Sequence, residues 1–357
     1  RADTVRIINQ WRLGDALTGA IDGPAIKSLF VYNSNPATVT SSQGQILEGL
    51  ARDDLFTVVS DHFVTDTARY ADIVLPAAMA MEQNDVMFSW GHLYWTYNPK
   101  VIEPIGDSVS NNELFRRLAR RMGIDDPWFD LSDDEQILRA IDWTAPQMTG
   151  ITLERLKAEG YVRLHLPGPD DYAPHATGQF PTPSGKVELA SSMAAGGNFV
   201  APLFRQGVPG NQDGSPVDRL PTYHPPQELG ADPQFPLALV CPKPHAFINS
   251  QYANMKRQLD QQGEQRCSIH PTDAQARGID TSDAVRVFNG RGEVLALARV
   301  TDEVAPGVVL MPMGHWPGDV SGGLGVNALT STRYADIGRA PTFSDTAVEV
   351  ERLRPNS

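Results

Sequence analysis

The chain is short of cysteine, short of positive charge and without a long apolar run. Its two cysteines, Cys241 and Cys267, are too few for a disulfide framework, a four-cysteine zinc site or an iron–sulfur cluster, and nothing favours their pairing. Lysine and arginine number 30 against 43 aspartates and glutamates, a formal charge of −13. A nucleic-acid partner needs a basic face, so none is expected. One anionic cofactor is still allowed, because backbone amides can hold a phosphate in an acidic protein. No apolar run approaches the roughly 20 residues of a membrane helix, and no membrane span is expected. G-x-G-x-x-G is missing, which disfavours an ordinary nicotinamide dinucleotide site. The eight histidines lack H-E-x-x-H or other metal spacing, which argues against zinc or iron inside the chain. No G-x-S-x-G elbow supports a nucleophile triad. The chain opens on Arg1 with no visible signal peptide, so cytoplasm and periplasm stay equally open.

What is present fits a globular protein of two to three domains: 357 residues, 41% hydrophobic and 20% charged. Three continuous apolar runs, Leu29–Tyr32, Phe56–Val59 and Ile73–Leu75, alternate with helix-length connections. Such runs predict a parallel sheet covered on both faces. Ser42 is expected to cap a helix carrying Ile46, Leu47 and Leu50, and a helical turn is expected over Thr65–Tyr70. Ligands of parallel sheets bind beyond the strand C-termini, which singles out Asn33–Pro36 and Asp61–Phe63. Asp61 offers an acceptor for a ribose diol or guanine N–H groups, and Thr65, Asp66 and Thr67 offer a helix N-terminus for phosphate. The alternative reading is a turn at Asn33–Pro36 and a plain helix cap at Thr65–Thr67.

Beyond Ala77 the pattern loosens. Ser110 and Glu113 read as a capping box for a helix whose apolar face is Leu114, Phe115, Leu118, Ala119 and Met122, stopped by Gly123. Thr182–Lys186 reads as a tight turn into a strand Val187–Leu189, and Gly207–Pro226 as a linker. His92, among Trp90, Tyr94 and Trp95, either lines a funnel or is packed. The last third is β: Ala284–Phe288, a loop Asn289–Gly292, then Val294–Val300 and Val308–Met311, a spacing that suggests a closed barrel. Two polar clusters flank it, Lys243-Pro244-His245 with Asn249, Ser250, Gln251 and Asn254, and Gly314-His315-Trp316 with Asn327 and Thr330. Trp316 could pack on a planar heterocycle with His315 and Asn327 at its edges; alternatively it fills the core.

In order, these pieces resemble the dimethyl-sulfoxide-reductase family of molybdenum and tungsten enzymes. The resemblance is carried by Leu29–Pro36, Asp61-His62-Phe63 through Thr67–Pro76, Glu82 and Phe180–Leu189. Ile269-His270-Pro271 with Asp273-Ala274, Arg277–Ile279, Val285–Asn289, Gly314–Trp316 and Asn327–Thr330 complete it. It implies an α/β class with a β domain. The C-terminal part of an α/β dinucleotide-binding domain would cover 1–76, an α+β connecting region 77–230, and a double-psi β-barrel 231–357. It implies two molybdopterin guanine dinucleotides (bis-MGD) embracing one molybdenum or tungsten. By resemblance, Asn33, Asn35, Asp61, Phe63 and Thr67 serve one guanosine diphosphate arm. Lys243, His245, Ser250, His315, Trp316 and Asn327 serve the other dinucleotide.

Nothing in the sequence resembles the family's metal-ligand segment or the cysteine segment that often binds a [4Fe–4S] cluster. The chain is therefore expected to be a portion of a longer, split or cleaved enzyme, incompetent alone and partnered by the missing N-terminal part. An electron-transfer subunit is a further partner the resemblance allows. Two rivals are a structural subunit that keeps the fold without the cofactor, and a nucleotide-binding module using only the parallel sheet.

Overall fold

A computed structural model describes residues 5–168, 170–192, 198–199, 208–209, 218–335 and 339–354. α1 (Leu13–Thr18) precedes a three-stranded sheet in which β1 (Ser28–Tyr32), β2 (Phe56–Asp61) and β3 (Ile73–Pro76) lie in sequence order. These are the three apolar runs. Asp72 N donates to Thr57 O where β3 begins and Ala77 N to Asp61 O where it ends, so β2 and β3 run the same way. α2 (Pro36–Val39) and α3 (Gln43–Leu50) join β1 to β2, and Ile46 and Leu50 pack with Leu17, Ala37 and Leu55. Two expectations need correcting. Ser42 precedes α3 but does not cap it: at φ 55° its hydroxyl donates to Gln45 Oε1 (2.6 Å) instead of accepting a helix N–H. The sheet is also not covered on both faces, because Phe30, Tyr32, Phe56, Ile73 and Val74 are exposed. The link from β2 to β3 is only a three-residue 3-10 turn, Ala68–Tyr70, which covers little surface.

β4 (Asp85–Phe88), β5 (Tyr94–Asn98) and β6 (Tyr161–Arg163) form an antiparallel sheet, with Trp95 opposite both Phe88 and Val162. Trp95, Tyr97 and Val162 pack with Met148, Ile151 and Leu156 from the segments around α6 (Leu153–Glu159). α4 (Asn111–Met122) starts where Ser110 Oγ accepts Glu113 N and stops at Gly123 in the left-handed region. Only half of the capping box forms, since the Glu113 carboxylate pairs with Arg117 (2.8 Å). Arg116, not Met122, takes the inward position, donating to Leu131 O and to Asp133 at the start of α5 (Asp133–Ala140). The tight turn at Thr182–Gly185 is present, yet Val187–Leu189 forms no strand and Val187 and Leu189 are exposed.

A two-residue ladder pairs β7 (Asn198–Phe199) with β8 (Val208–Pro209). Of the linker expected over 207–226, residues 208–209 and 218–226 are described and the rest lie outside the described residues. β9 (Leu237–Val240), β10 (Arg266–Ile269), β11 (Ala284–Asn289), β12 (Gly292–Val300), β13 (Val308–Leu310) and β14 (Ala347–Arg352) then close a barrel in the order β10-β12-β11-β14-β9-β13. α7 (Lys256–Gln262) and α8 (Pro271–Arg277) flank β10 in sequence. The period-two pattern turns Val285, Val287, Val294, Val309, Val348 and Val350 into one core with Leu239 and Ile269. Asn289 pairs with Gly292, so the hairpin turn is the two residues Gly290-Arg291 and is tighter than the four-residue loop expected. Asn289 Oδ1 accepts Arg291 N across it. Both cysteines are buried, and burial pushes their thiols up to about 12.

The chain divides into two compact units, one drawn from 1–59, 64–74 and 188–357, the other from 60–63 and 75–187. Most of the α/β segment and the barrel fall in the same unit. No helix among the described residues is long and apolar enough to cross a membrane.

Candidate functional site

The strand β1 delivers the chain into Asn33 at φ 53°, followed by exposed Ser34 and then Asn35, which is 5% exposed. Asn35 Oδ1 accepts the Thr67 hydroxyl (2.7 Å) and amide (3.3 Å), and its Nδ2 donates to Thr38 Oγ1 (2.9 Å). Thr67 Oγ1 in turn accepts Ala37 N (3.0 Å). The two loops beyond β1 and β2 are therefore tied together through one asparagine and one threonine. Asp66 is buried beside them; its Oδ1 accepts Gly318 N (3.0 Å), and desolvation raises its pKa. The helix N-terminus expected here for phosphate is not built: the element is a 3-10 turn of three residues whose leading hydroxyls and carboxylate are committed to protein partners.

Asp61, at the end of β2, is half-buried and accepts His62 N (2.7 Å) and Phe63 N (3.4 Å), with Phe63 exposed. These residues group with the second unit. There Glu82, buried, accepts Met79 N (2.7 Å) and Ile105 N (3.0 Å), which fixes a turn. His92 is exposed and edge-on to Tyr94 (5.8 Å), beside Trp90, which is 99% exposed, whereas Trp95 of the same cluster packs against Met148, Ile151 and Leu156.

On the barrel side, Lys243 and His245 are exposed and Ser250 is half-buried. Ser250 O accepts the Trp316 indole N–H (2.9 Å), and Trp316 packs with Phe247 and Ala253, so its ring is buried in a small apolar cluster. Gly314 makes the crossing of these two loops feasible: at φ 105° a Cβ there would stand 2.1 Å from Asn249 O. His315 is 6% exposed and lies edge-on to Phe247, with Nε2 3.0 Å from Gly263 O. A carbonyl only accepts, so Nε2 carries the proton and Nδ1 is a bare acceptor. Nδ1 is buried without a partner, and burial lowers the imidazole pKa. Asn327 is buried, donating to Thr38 O (2.9 Å) and accepting the Thr330 hydroxyl at 3.3 Å.

The structure thus brings Asn35 to Thr67, Ser250 to Trp316, and Asn327 to the loop that follows Asn35. Asn33, Phe63, Lys243 and His245 stand exposed. Sequence reasoning missed Gln43, whose Oε1 accepts Gly325 N (2.8 Å), and the role of Asp66. Both partners lie more than 250 residues away in the chain, and no local pattern announces such a pair. Among the described residues, no group of three His, Cys, Asp or Glu side chains is placed to hold a metal ion.

Comparison with known proteins converges on this frame. Residues 13–121 match the family model described as Molybdopterin oxidoreductase, and residues 237–347 that of the Molydopterin dinucleotide binding domain. The chain is 36% identical to the probable oxidoreductase YoaE of Bacillus subtilis over 98% of its own length and 47% of the relative's. It is 31% identical to the dimethyl sulfoxide reductase DmsA of Escherichia coli, over 87% of this chain and 39% of that one. In fold it resembles the acetylene hydratase of Pelobacter acetylenicus, with a TM-score of 0.73 at 24% identity, over 97% of this chain and 47% of the other. The chain belongs to the dimethyl-sulfoxide-reductase family of molybdopterin oxidoreductases. It spans about half the length, or less, of these relatives.

Proposed function

We propose that this chain clamps the dinucleotide tails of a bis-MGD cofactor in a molybdenum or tungsten oxidoreductase. One observation carries the reading: two polar loop clusters hydrogen-bond to each other within one unit, and His315 offers a buried, unpartnered acceptor in the second. Leaving such an acceptor unmet costs about 1–3 kcal/mol, which a ligand N–H or O–H would recover. The unmet acceptor fits a heterocycle or ribose that carries an N–H or O–H donor, and the exposed Lys243 fits an anionic group.

Asp61 would accept from guanine or ribose of one arm, and the exposed Phe63 ring offers a stacking face. Asn35 and Thr67, already bonded to each other, hold the loop so that Asn33 and Ser34 face outward. On the other arm, Lys243 and His245 would meet phosphate and His315 Nδ1 would accept a proton donor. Ser250, Trp316 and Asn327 keep those loops in place. When bound, the metal and its dithiolene ligands supply the two-electron step, an oxygen-atom or hydride-equivalent transfer, and an electron-transfer subunit would connect it to a donor or acceptor. The six-stranded barrel, with β10/β12 and β9/β13 parallel, supports the double-psi topology that the resemblance implies.

A second reading, a structural subunit without cofactor, draws support from the burial of Asn35, Thr67, Trp316 and Asn327. The test is molybdenum, tungsten, iron and pterin content of the complete gene product. Pterin with molybdenum or tungsten is expected. No pterin favours the structural subunit, and guanine-nucleotide binding without pterin favours a nucleotide module. Asp61→Ala is expected to weaken pterin retention by about tenfold, the worth of one ligand hydrogen bond; unchanged content removes Asp61 from the site.

A further inference from the structure

We propose that Gln43, Asp66 and Asn327 are positioning residues. Together they form a polar latch that holds the Asn35–Gln43 and Thr65–Ala68 segments against the Trp316–Thr330 segment and so sets the spacing of the two loop clusters. The seam between these segments is built from hydrogen bonds. Asp66 Oδ1 accepts Gly318 N (3.0 Å), and Gln43 Oε1 accepts Gly325 N (2.8 Å). Asn327 Nδ2 donates to Thr38 O (2.9 Å), and Ser42 N donates to Thr330 O (3.0 Å). Gln43, Asp66 and Asn327 are all buried.

Among the described residues, apolar packing across the two parts is confined to an edge contact of Trp11 with Phe343 (5.6 Å) rather than a shared core. The barrel's buried apolar cluster runs from Leu237 to Val350, whereas the two clusters of the α/β segment draw on residues between Leu13 and Ala71; no described cluster bridges them. The difference has a physical consequence. Apolar contact tolerates sliding, while hydrogen bonds weaken steeply with distance and angle, so a buried polar seam selects one register. Gly318 completes the fit: a Cβ there would stand 3.0 Å from Asp66 Oδ1 and 3.5 Å from the Arg69 guanidinium carbon. Asn327 links the seam to the site most directly, because it reaches Thr38, the residue that Asn35 Nδ2 also binds.

The latch stands on these bonds alone; its effect on the cofactor rests on the function proposed above. Two measurements separate them. In the first, amide hydrogen exchange is followed on the full chain for wild type, Gln43→Leu, Asp66→Ala and Asp66→Asn. Gln43→Leu is expected to speed exchange at Gly325, and Asp66→Ala at Gly318, about tenfold. Amides of β11 and β12 should exchange as in wild type. Asp66→Asn keeps an acceptor for Gly318 N and should restore protection. Unchanged exchange at both glycines overturns the latch, as does equal acceleration through β11 and β12.

In the second, cofactor-loaded complete protein is diluted and pterin loss is followed by fluorescence. Asp66→Ala and Gln43→Leu should lose pterin about tenfold faster than wild type, and Asp66→Asn at the wild-type rate. Equal loss rates in all four proteins overturn the positioning role. A wild-type protein without pterin would sink the proposed function, and the exchange result alone then decides the latch.

Discussion

Asp66 and His315 are buried titratable side chains with opposite expected effects on stability. Burial raises the Asp66 carboxyl above its ordinary value of 3.8, against the Gly318 amide and Arg69, which lower it. The folded state therefore holds this proton more tightly than the unfolded state. Stability falls as pH rises from 3.8 through the folded value and stays lower above it. Asp66→Asn is expected to be more stable than wild type to denaturant at pH 7, with the gain shrinking as pH falls towards 3.8; a gain that grows in acid would reverse the sign. His315 runs the other way. Burial lowers its pKa from 6.5, so the unfolded state takes the proton first and stability is lost as pH falls below 6.5. His315→Gln should flatten that part of the curve in denaturant titrations between pH 7 and 5, and an unchanged slope would show that the loss comes from elsewhere.

At the scale of elements, two serines read from the sequence as helix caps behave differently. Ser110 Oγ accepts Glu113 N, and Ser110→Ala is expected to cost about 1 kcal/mol. Ser42 makes no such bond, so Ser42→Ala should cost under about 0.5 kcal/mol in the same thermal or denaturant assay. The contrast marks what a sequence can carry. Strands β1, β2 and β3 and the barrel strands β11, β12 and β13 were legible because their apolar runs and alternation are local, whereas β10 and β14 were not singled out. Asn35 and Thr67 were legible as polar residues at strand ends, and the resemblance grouped them. Their mutual bond, the left-handed Ser42 and the inward Arg116 were not, since each is decided by a partner distant in the chain or by backbone geometry. The same holds for Trp316: its aromatic ring fits a heterocycle as well as a core, and only packing against Phe247 and Ala253 shows the ring buried.

For the whole molecule, the barrel holds the largest buried apolar cluster among the described residues. Ile269→Ala, fully buried between β12 and β13, is expected to cost about 2–5 kcal/mol in denaturant unfolding. Met122→Ala, on the exposed end of α4, should cost under about 0.5 kcal/mol. Two readings of the family resemblance, a cofactor clamp and a bare scaffold, share this core and differ only in what the loops meet. Acid hydrolysis of the complete purified protein, with guanine nucleotide and metal quantified together, separates them most directly. The cofactor clamp predicts about two guanine nucleotides for each molybdenum or tungsten atom. A correctly folded protein from a molybdenum- and tungsten-replete host that releases neither guanine nucleotide nor metal would contradict it.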